Sequence, residues 1–184
     1  MADVASLRGQ LLVASPALID PNFRRTVVLL AEVTEEGAMG VVLNRPSPVT
    51  VTDSVPSLQD VVGADELVYV GGPVQPGAVV ALAEYDEPER AASIPFADVG
   101  FLPSEVDVAE LAGHLRRVRV FAGYSGWGGG QLEAELEAEA WIIEPATADD
   151  VFTDDPPGLW SAVLGRKGGQ YALLARMPAD PSVN

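Results

Sequence analysis

The sequence predicts an α+β fold, a compact single domain whose mixed, strongly curved sheet is flanked by a few helices. Three observations predict it. Short apolar runs rich in Val, Ile, Leu and aromatic residues are bounded by Gly, Pro, Asn or Asp. Turn signals at Glu36-Gly37 and Gly71–Gly77 lie between such runs and mark hairpins. Helical patterns are fewer and follow no regular βαβ rhythm, which argues against a doubly wound parallel sheet.

The strand candidates in chain order are Gln10–Ala14, Thr26–Ala31, Met39–Leu43, Leu67–Val70, Ala78–Ala83, Val118–Ala122, Ala140–Ile143 and Tyr171–Ala175. Their continuous apolar character, rather than alternation, suggests strands covered on both faces. Helical spacing of Val108, Leu111, Ala112, Leu115 and Val118 predicts a helix from Asp107 to Val118, with Asp107 and Glu110 set for a capping box. Arg116 and Arg117 would then complement the dipole of its last turn. A second helix is predicted from Pro157 to about Leu164, with Asp155 near its N-cap and Gly165 and Gly168-Gly169 ending it. A short third lies between Thr52 and Val62, broken or started near Pro56. Residues Gln131 to Ala140 alternate like a strand, but their Glu, Ala and Leu content favours a short helix feeding a strand at Trp141. Pro46–Pro56 and Glu84–Arg90 read as loops, and the tail 178–184 as frayed.

The chain has 184 residues, 48% of them hydrophobic, which suffices for a substantial core. Lys plus Arg number 11 against 27 Asp plus Glu, a formal charge of −16. Nucleic-acid and anionic-membrane binding both rely on Lys and Arg, so this balance opposes direct contact with either. There is no cysteine, so disulfides, thiolate catalysis and thiolate metal sites are excluded. Met1 to Gln10 lacks the apolar core of a secretory signal, and no apolar run approaches the length of a bilayer span. The expected address is the cytoplasm.

No complete catalytic or metal-binding constellation emerges, and no cofactor is expected. His114 is the sole histidine, so a zinc site of the usual kind lacks ligands. Gly123-Tyr124-Ser125-Gly126-Trp127 departs from a nucleophile elbow, because Trp127 stands where the second glycine belongs. The run Gly126–Gln131 lacks both the Lys-Ser/Thr ending of a phosphate loop and dinucleotide spacing, and reads as a tight turn with Trp127 packed across the core or a groove. Asp149, Asp150, Asp154 and Asp155 read as helix caps and solvated loop. Arg24-Arg25 and Asn44-Arg45-Pro46 place cations at strand ends, where sheet proteins often carry function.

Four blocks in order resemble the AlgH/YqgE family of bacterial proteins. They are Ala14–Val27, then Glu35–Gly40 with Leu43–Pro46, then Gly71-Gly72-Pro73-Val74, then Gly123–Trp127 with Gly130-Gln131-Leu132, Glu135 and Trp141. The resemblance implies a compact α+β fold and a cytosolic bacterial protein of unassigned biochemical activity. The AlgH name carries a link to transcriptional regulation. Val33 stands where many relatives have His, and Gly129 where Pro is common. The expected function is therefore a non-enzymatic binding or regulatory protein. Its ligand or partner surface would draw on Asp20, Phe23, Arg24, Asn44, Arg45, Gly72, Pro73, Tyr124, Ser125, Trp127 and Gln131. The partner would be a protein or small molecule, with oligomeric state open. A hydrolase or transferase working near Gly123–Gln131 is the first alternative. A direct DNA-binding regulator is the second.

Overall fold

A computed structural model describes residues 3–179. Residues 180–184 of the expected frayed tail lie outside them. Among the described residues, ten strands form one sheet. The first seven are β1 Gln10–Ala14, β2 Val27–Thr34, β3 Gly37–Val42, β4 Pro46–Thr50, β5 Leu67–Val70, β6 Val74–Tyr85 and β7 Ser93–Phe96. Then come β8 Val99–Phe101, β9 Leu115–Gly128 and β10 Trp141–Pro145. The helices are α1 Val51–Ser54, α2 Val108–Leu111, α3 Gln131–Glu137, α4 Ala148–Val151, α5 Leu159–Lys167 and α6 Gln170–Leu174. This is the α+β class that the apolar runs predict.

Strand order is β10-β1-β2-β3-β9-β6-β8-β7, antiparallel throughout. β5 adds to β9 in parallel and carries β4 antiparallel on its other side. The long strand β9 is the hub. It pairs with β3 over Ser125–Gly128, with β5 at Phe121 and Ala122, and with β6 along most of its length. β3 and the segment after β5 meet at Gly71, whose carbonyl accepts from the Val42 N–H at 2.8 Å.

Both faces of the central strands are covered. Leu11, Val13, Val27, Leu29, Val41 and Leu43 point into one core with Trp160, Val163 and Leu164 of α5. Their neighbours Leu12, Ala14, Val28, Leu30 and Val42 point into a second, with Trp127, Leu132 and Trp141. A pleated strand sends successive side chains to opposite faces, so two covered faces require the unbroken apolar runs seen in β1 and β2. The β2–β3 hairpin turns at Glu35-Glu36, with Thr34 Oγ1 accepting from the Glu36 N–H.

Several helices form as their sequences predict. α3 replaces the alternation at 131–137, α5 ends at Gly168, and α1 gives way to a 3-10 turn at Pro56–Val61. Asp155 caps the turn before α5, accepting from the Gly158 N–H. Asp150 caps a helix as expected, completing a capping box with Thr147 at α4, but it is buried rather than solvated and its carboxylate takes a bidentate pair from Arg166 at 2.9 Å.

Other expectations are corrected. Tyr171–Ala175 is helical, not a strand: it follows Gly168-Gly169 and packs Tyr171 and Leu174 onto the α5 core, and a short apolar run cannot by itself distinguish the two. The helix from Asp107 ends at Leu111, and after a turn the chain enters β9 at Leu115. Pairing with β6 overrides the helical spacing of Leu115 and Val118. Arg116 and Arg117 therefore serve no helix dipole; they pair with Glu84, Asp86, Asp98 and Asp149 around the β6–β9 ladder. Pro46–Thr50 is a strand, β6 runs on through Tyr85, and β9 continues to Gly128 in place of the expected turn.

Candidate functional site

Residues Ser15–Arg25 form an irregular loop between β1 and β2, and Asn44-Arg45, Trp127 and Trp141 pack against it. Asp20 opens a turn, its Oδ1 accepting from the Asn22 N–H at 2.8 Å. Arg45, just after β3, sends its guanidinium to the carbonyls of Pro21, Asn22 and Arg24. Burial lowers the Arg45 pKa, and nearby Asp20 opposes that shift. Asn44 continues the β2–β3 ladder with its side chain: Oδ1 accepts from the Val27 N–H at 3.0 Å and Nδ2 donates to the Arg25 carbonyl at 2.9 Å. It thereby holds Arg25 at φ 55°, a left-handed conformation that is costly for a side chain of this size.

Phe23 points the other way, into an aromatic cluster. Its ring lies 6.2 Å from Trp127 and 5.6 Å from Trp141, and the two indoles are 6.1 Å apart. Both indole N–H groups donate to one atom, Glu135 Oε2 on α3, at 2.7 and 2.8 Å. Gln131 ties the helix to β9: its Oε1 accepts from the Gly128 N–H and its Nε2 donates to Glu135 Oε1. Trp127 is thus packed across the core.

The third and fourth motifs pack backbone on backbone. Gly72, at φ 155°, lies so close to the Tyr124 carbonyl that a Cβ would overlap it. Ser125 is 0% exposed, and its hydroxyl donates to the Gly71 carbonyl at 3.1 Å. No described cavity includes it. Tyr124 packs on the α5 core, while Pro73 is exposed. The Ser125 hydroxyl is therefore a buried hydrogen-bond donor that ties β9 to the segment after β5.

His114 lies in the turn before β9, with Nδ1 3.6 Å from Glu87. Among the described residues, no three His, Asp or Glu side chains gather as metal ligands.

Beside the loop lies a small cavity lined by two arginines. It has a volume of about 210 Å³ and is walled by Ser15, Leu18, Ile19, Arg24, Arg25, Trp160 and Met177. The Arg25 guanidinium lies 4.1 Å over the Trp160 ring, and Trp160 Nε1 donates to the Ala14 carbonyl. Burial, then the charge of Arg24, lowers the Arg25 pKa. Arg24 and Arg25 donate to the carbonyls of Ala179 and Met177, and neither takes part in an ion pair among the described residues. Ile19 beside them is 79% exposed. The sequence marks the arginine pair, but it does not place Trp160 beneath Arg25 or Ser15 at the cavity wall, because Trp160 comes from α5, far along the chain from the β1–β2 loop.

Residues 11–172 match a family model described as AlgH-like. A UPF0301 protein of Thermobifida fusca is 44% identical over 193 residues, covering 99% of this chain and 98% of that protein. One from Chlorobaculum tepidum is 38% identical over 180 residues, covering 96% and 95%. In solved structures, a crystal structure of a Corynebacterium diphtheriae protein superposes with a TM-score of 0.85 at 25% identity, covering 95% of this chain and 99% of that one. The solution structure of the AlgH protein of Pseudomonas aeruginosa gives 0.71 at 31% identity, covering 97% of each. The chain belongs to the AlgH-like family.

Proposed function

We propose that this protein acts by recognition, as a non-enzymatic binding or regulatory protein of the bacterial cytoplasm, and that the Ser15–Arg25 loop is its partner surface. The observation that carries this is the Arg24–Arg25 pair, which takes part in no ion pair among the described residues of a chain of net charge −16 and is set beside exposed Ile19. Two adjacent cations repel each other, and their bonds to carbonyls and the Arg25–Trp160 stack supply no opposite charge, so an anionic group of the partner is what they suit. Arg24 and Asp20 would touch the partner. Phe23, Asn44, Arg45, Gly72, Tyr124, Ser125, Trp127 and Gln131 would hold the loop and the sheet beneath it, and Pro73 stays at the surface. The left-handed backbone of Arg25 supports the same reading, since such strain persists where the surroundings impose it.

The partner is a carboxylate- or phosphate-bearing protein or small molecule rather than DNA, whose dense phosphates the overall charge repels. No described helix is long and apolar enough to cross a membrane. Strong curvature of the sheet belongs to the same proposal. It is supported by the sharing of β9 among three strands and by Arg8, before β1, donating to Ser93 of β7 at 2.9 Å. A pull-down from bacterial lysate with the wild-type chain and the R24E/R25E variant tests the reading. A saturable partner retained by the first and lost by the second is expected. Recovery of the same partners by both would overturn the assignment of the surface.

A further inference from the structure

We propose that the open edge of β10 is a docking groove for an extended polypeptide segment in which basic and apolar residues alternate. β10 is the outermost strand, paired on one side with β1. The Ser15 N–H donates to the Ala140 carbonyl, so in this register Ile142 and Glu144 bond toward β1 while Trp141 and Ile143 turn their backbone groups outward. The outward carbonyls of Ile143 and Pro145 accept from Lys167 and Arg166 of α5. The outward N–H groups of Trp141 and Ile143 have no partner among the described residues. Lysine over an edge carbonyl is a guard that one side-chain rotation removes.

This edge forms the floor of a groove of about 650 Å³. One wall is α3 and the residues after it, with Leu136, Glu133, Glu137 and Glu139; the other is Tyr171, Gln170 and Lys167. A five-residue edge of this kind accepts a strand of matching length, a recurring mode of peptide recognition. Ser15 lines the groove too. It is 9% exposed, and its buried Oγ has no hydrogen-bond partner among the described residues.

The two faces of the added strand would meet different walls. Trp141 and Ile143 face the aromatic core beside α3, and Ile142 faces the α5 and α6 side. Side chains of an incoming strand alternate likewise. Those on the α3 side would reach Glu133, Glu137 and Glu139, none of which is paired with a cation among the described residues. Those on the other side would reach Ile142 and Tyr171. Lys or Arg suits the first set and Val, Ile or an aromatic the second. A second copy of β10 is disfavoured, because it would bring a second acidic wall against the first.

The inference does not depend on the arginine-pair surface. The test is titration of the full chain with a blocked peptide of alternating lysine and valine, followed by amide hydrogen exchange. Expected is saturable binding that slows exchange at Trp141 and Ile143 by about tenfold or more, as new ladder bonds would. The peptide of alternating glutamate and valine should not bind. E133K/E137K, on half-exposed and exposed positions, should weaken the lysine peptide by about tenfold or more, while R24E/R25E should leave it unchanged. No saturation, equal binding of the acidic peptide, protection confined to other strands, or self-association through β10 would each overturn the proposal.

Discussion

Glu135 Oε2 accepts the Trp127 indole N–H at 2.7 Å while the same oxygen accepts from Trp141. One carboxylate on α3 thus joins the end of β9 to the start of β10. Glu135→Ala would leave both largely buried indole N–H groups unpaired and should cost about 2–4 kcal/mol. Glu135→Gln keeps one oxygen for the indoles and should cost about 1 kcal/mol. Urea denaturation of the two variants measures the difference.

Ser125 and Gly72 should separate sharply. Ser125→Ala deletes one buried hydrogen bond and should cost about 1 kcal/mol, leaving partner binding intact. Gly72→Ala places a methyl group against the Tyr124 carbonyl at an unfavourable backbone angle and should cost about 3–5 kcal/mol. Thermal unfolding of both variants checks the ranking.

Asn44 uses both halves of its amide, so no single replacement preserves its role. Asn44→Ala strands the Val27 N–H and should cost about 1–3 kcal/mol. Asn44→Asp keeps that acceptor but sets a carboxylate against the Arg25 carbonyl, and should destabilise as well. Both should also loosen Arg25, so partner affinity should fall together with stability.

Tyr85 sets an alkaline limit. Its side chain is 0% exposed, its hydroxyl donates to the Phe101 carbonyl at 3.3 Å, and burial pushes its pKa up to about 12. The unfolded chain ionises near the ordinary tyrosine value of about 10. The neutral form is favoured in the fold, so this contribution is complete below pH ~10 and is lost as pH rises toward ~12, by about 2–3 kcal/mol. Ultraviolet titration should show Tyr85 ionising late, alongside Tyr69, whose pKa burial also raises, and Tyr85→Phe should remove the latest step and the steepest part of the stability loss.

Much of the fold can be read from the chain because β1 and β2 are covered on both faces, and unbroken runs such as Leu11–Ala14 record that directly. β7 and β8 escape such reading, since four- and three-residue strands at an edge need little apolar character. Leu115 and Val118 mislead because helical spacing and a half-buried strand coincide over four residues. The candidate site is legible only in part. Asp20 announces its turn, and Arg24-Arg25 stand out against the acidic background. The packing of Trp127 and the helix carrying Glu135 are readable from the chain, yet the particular partners of Ser125 and Trp127, Gly71 and Glu135, are set by strand pairing and by where that helix lands.

β9 also sets the order in which the protein can be made. Its three strand partners are synthesised earlier, and each lacks one of its neighbours until residues 115–128 emerge. β1 must wait longer still, for Trp141–Pro145. A nascent chain cut anywhere before Gly128 therefore carries unpaired strand edges. The ribosome delivers this protein as one late event rather than in independent pieces, and truncated fragments should be recovered as insoluble material.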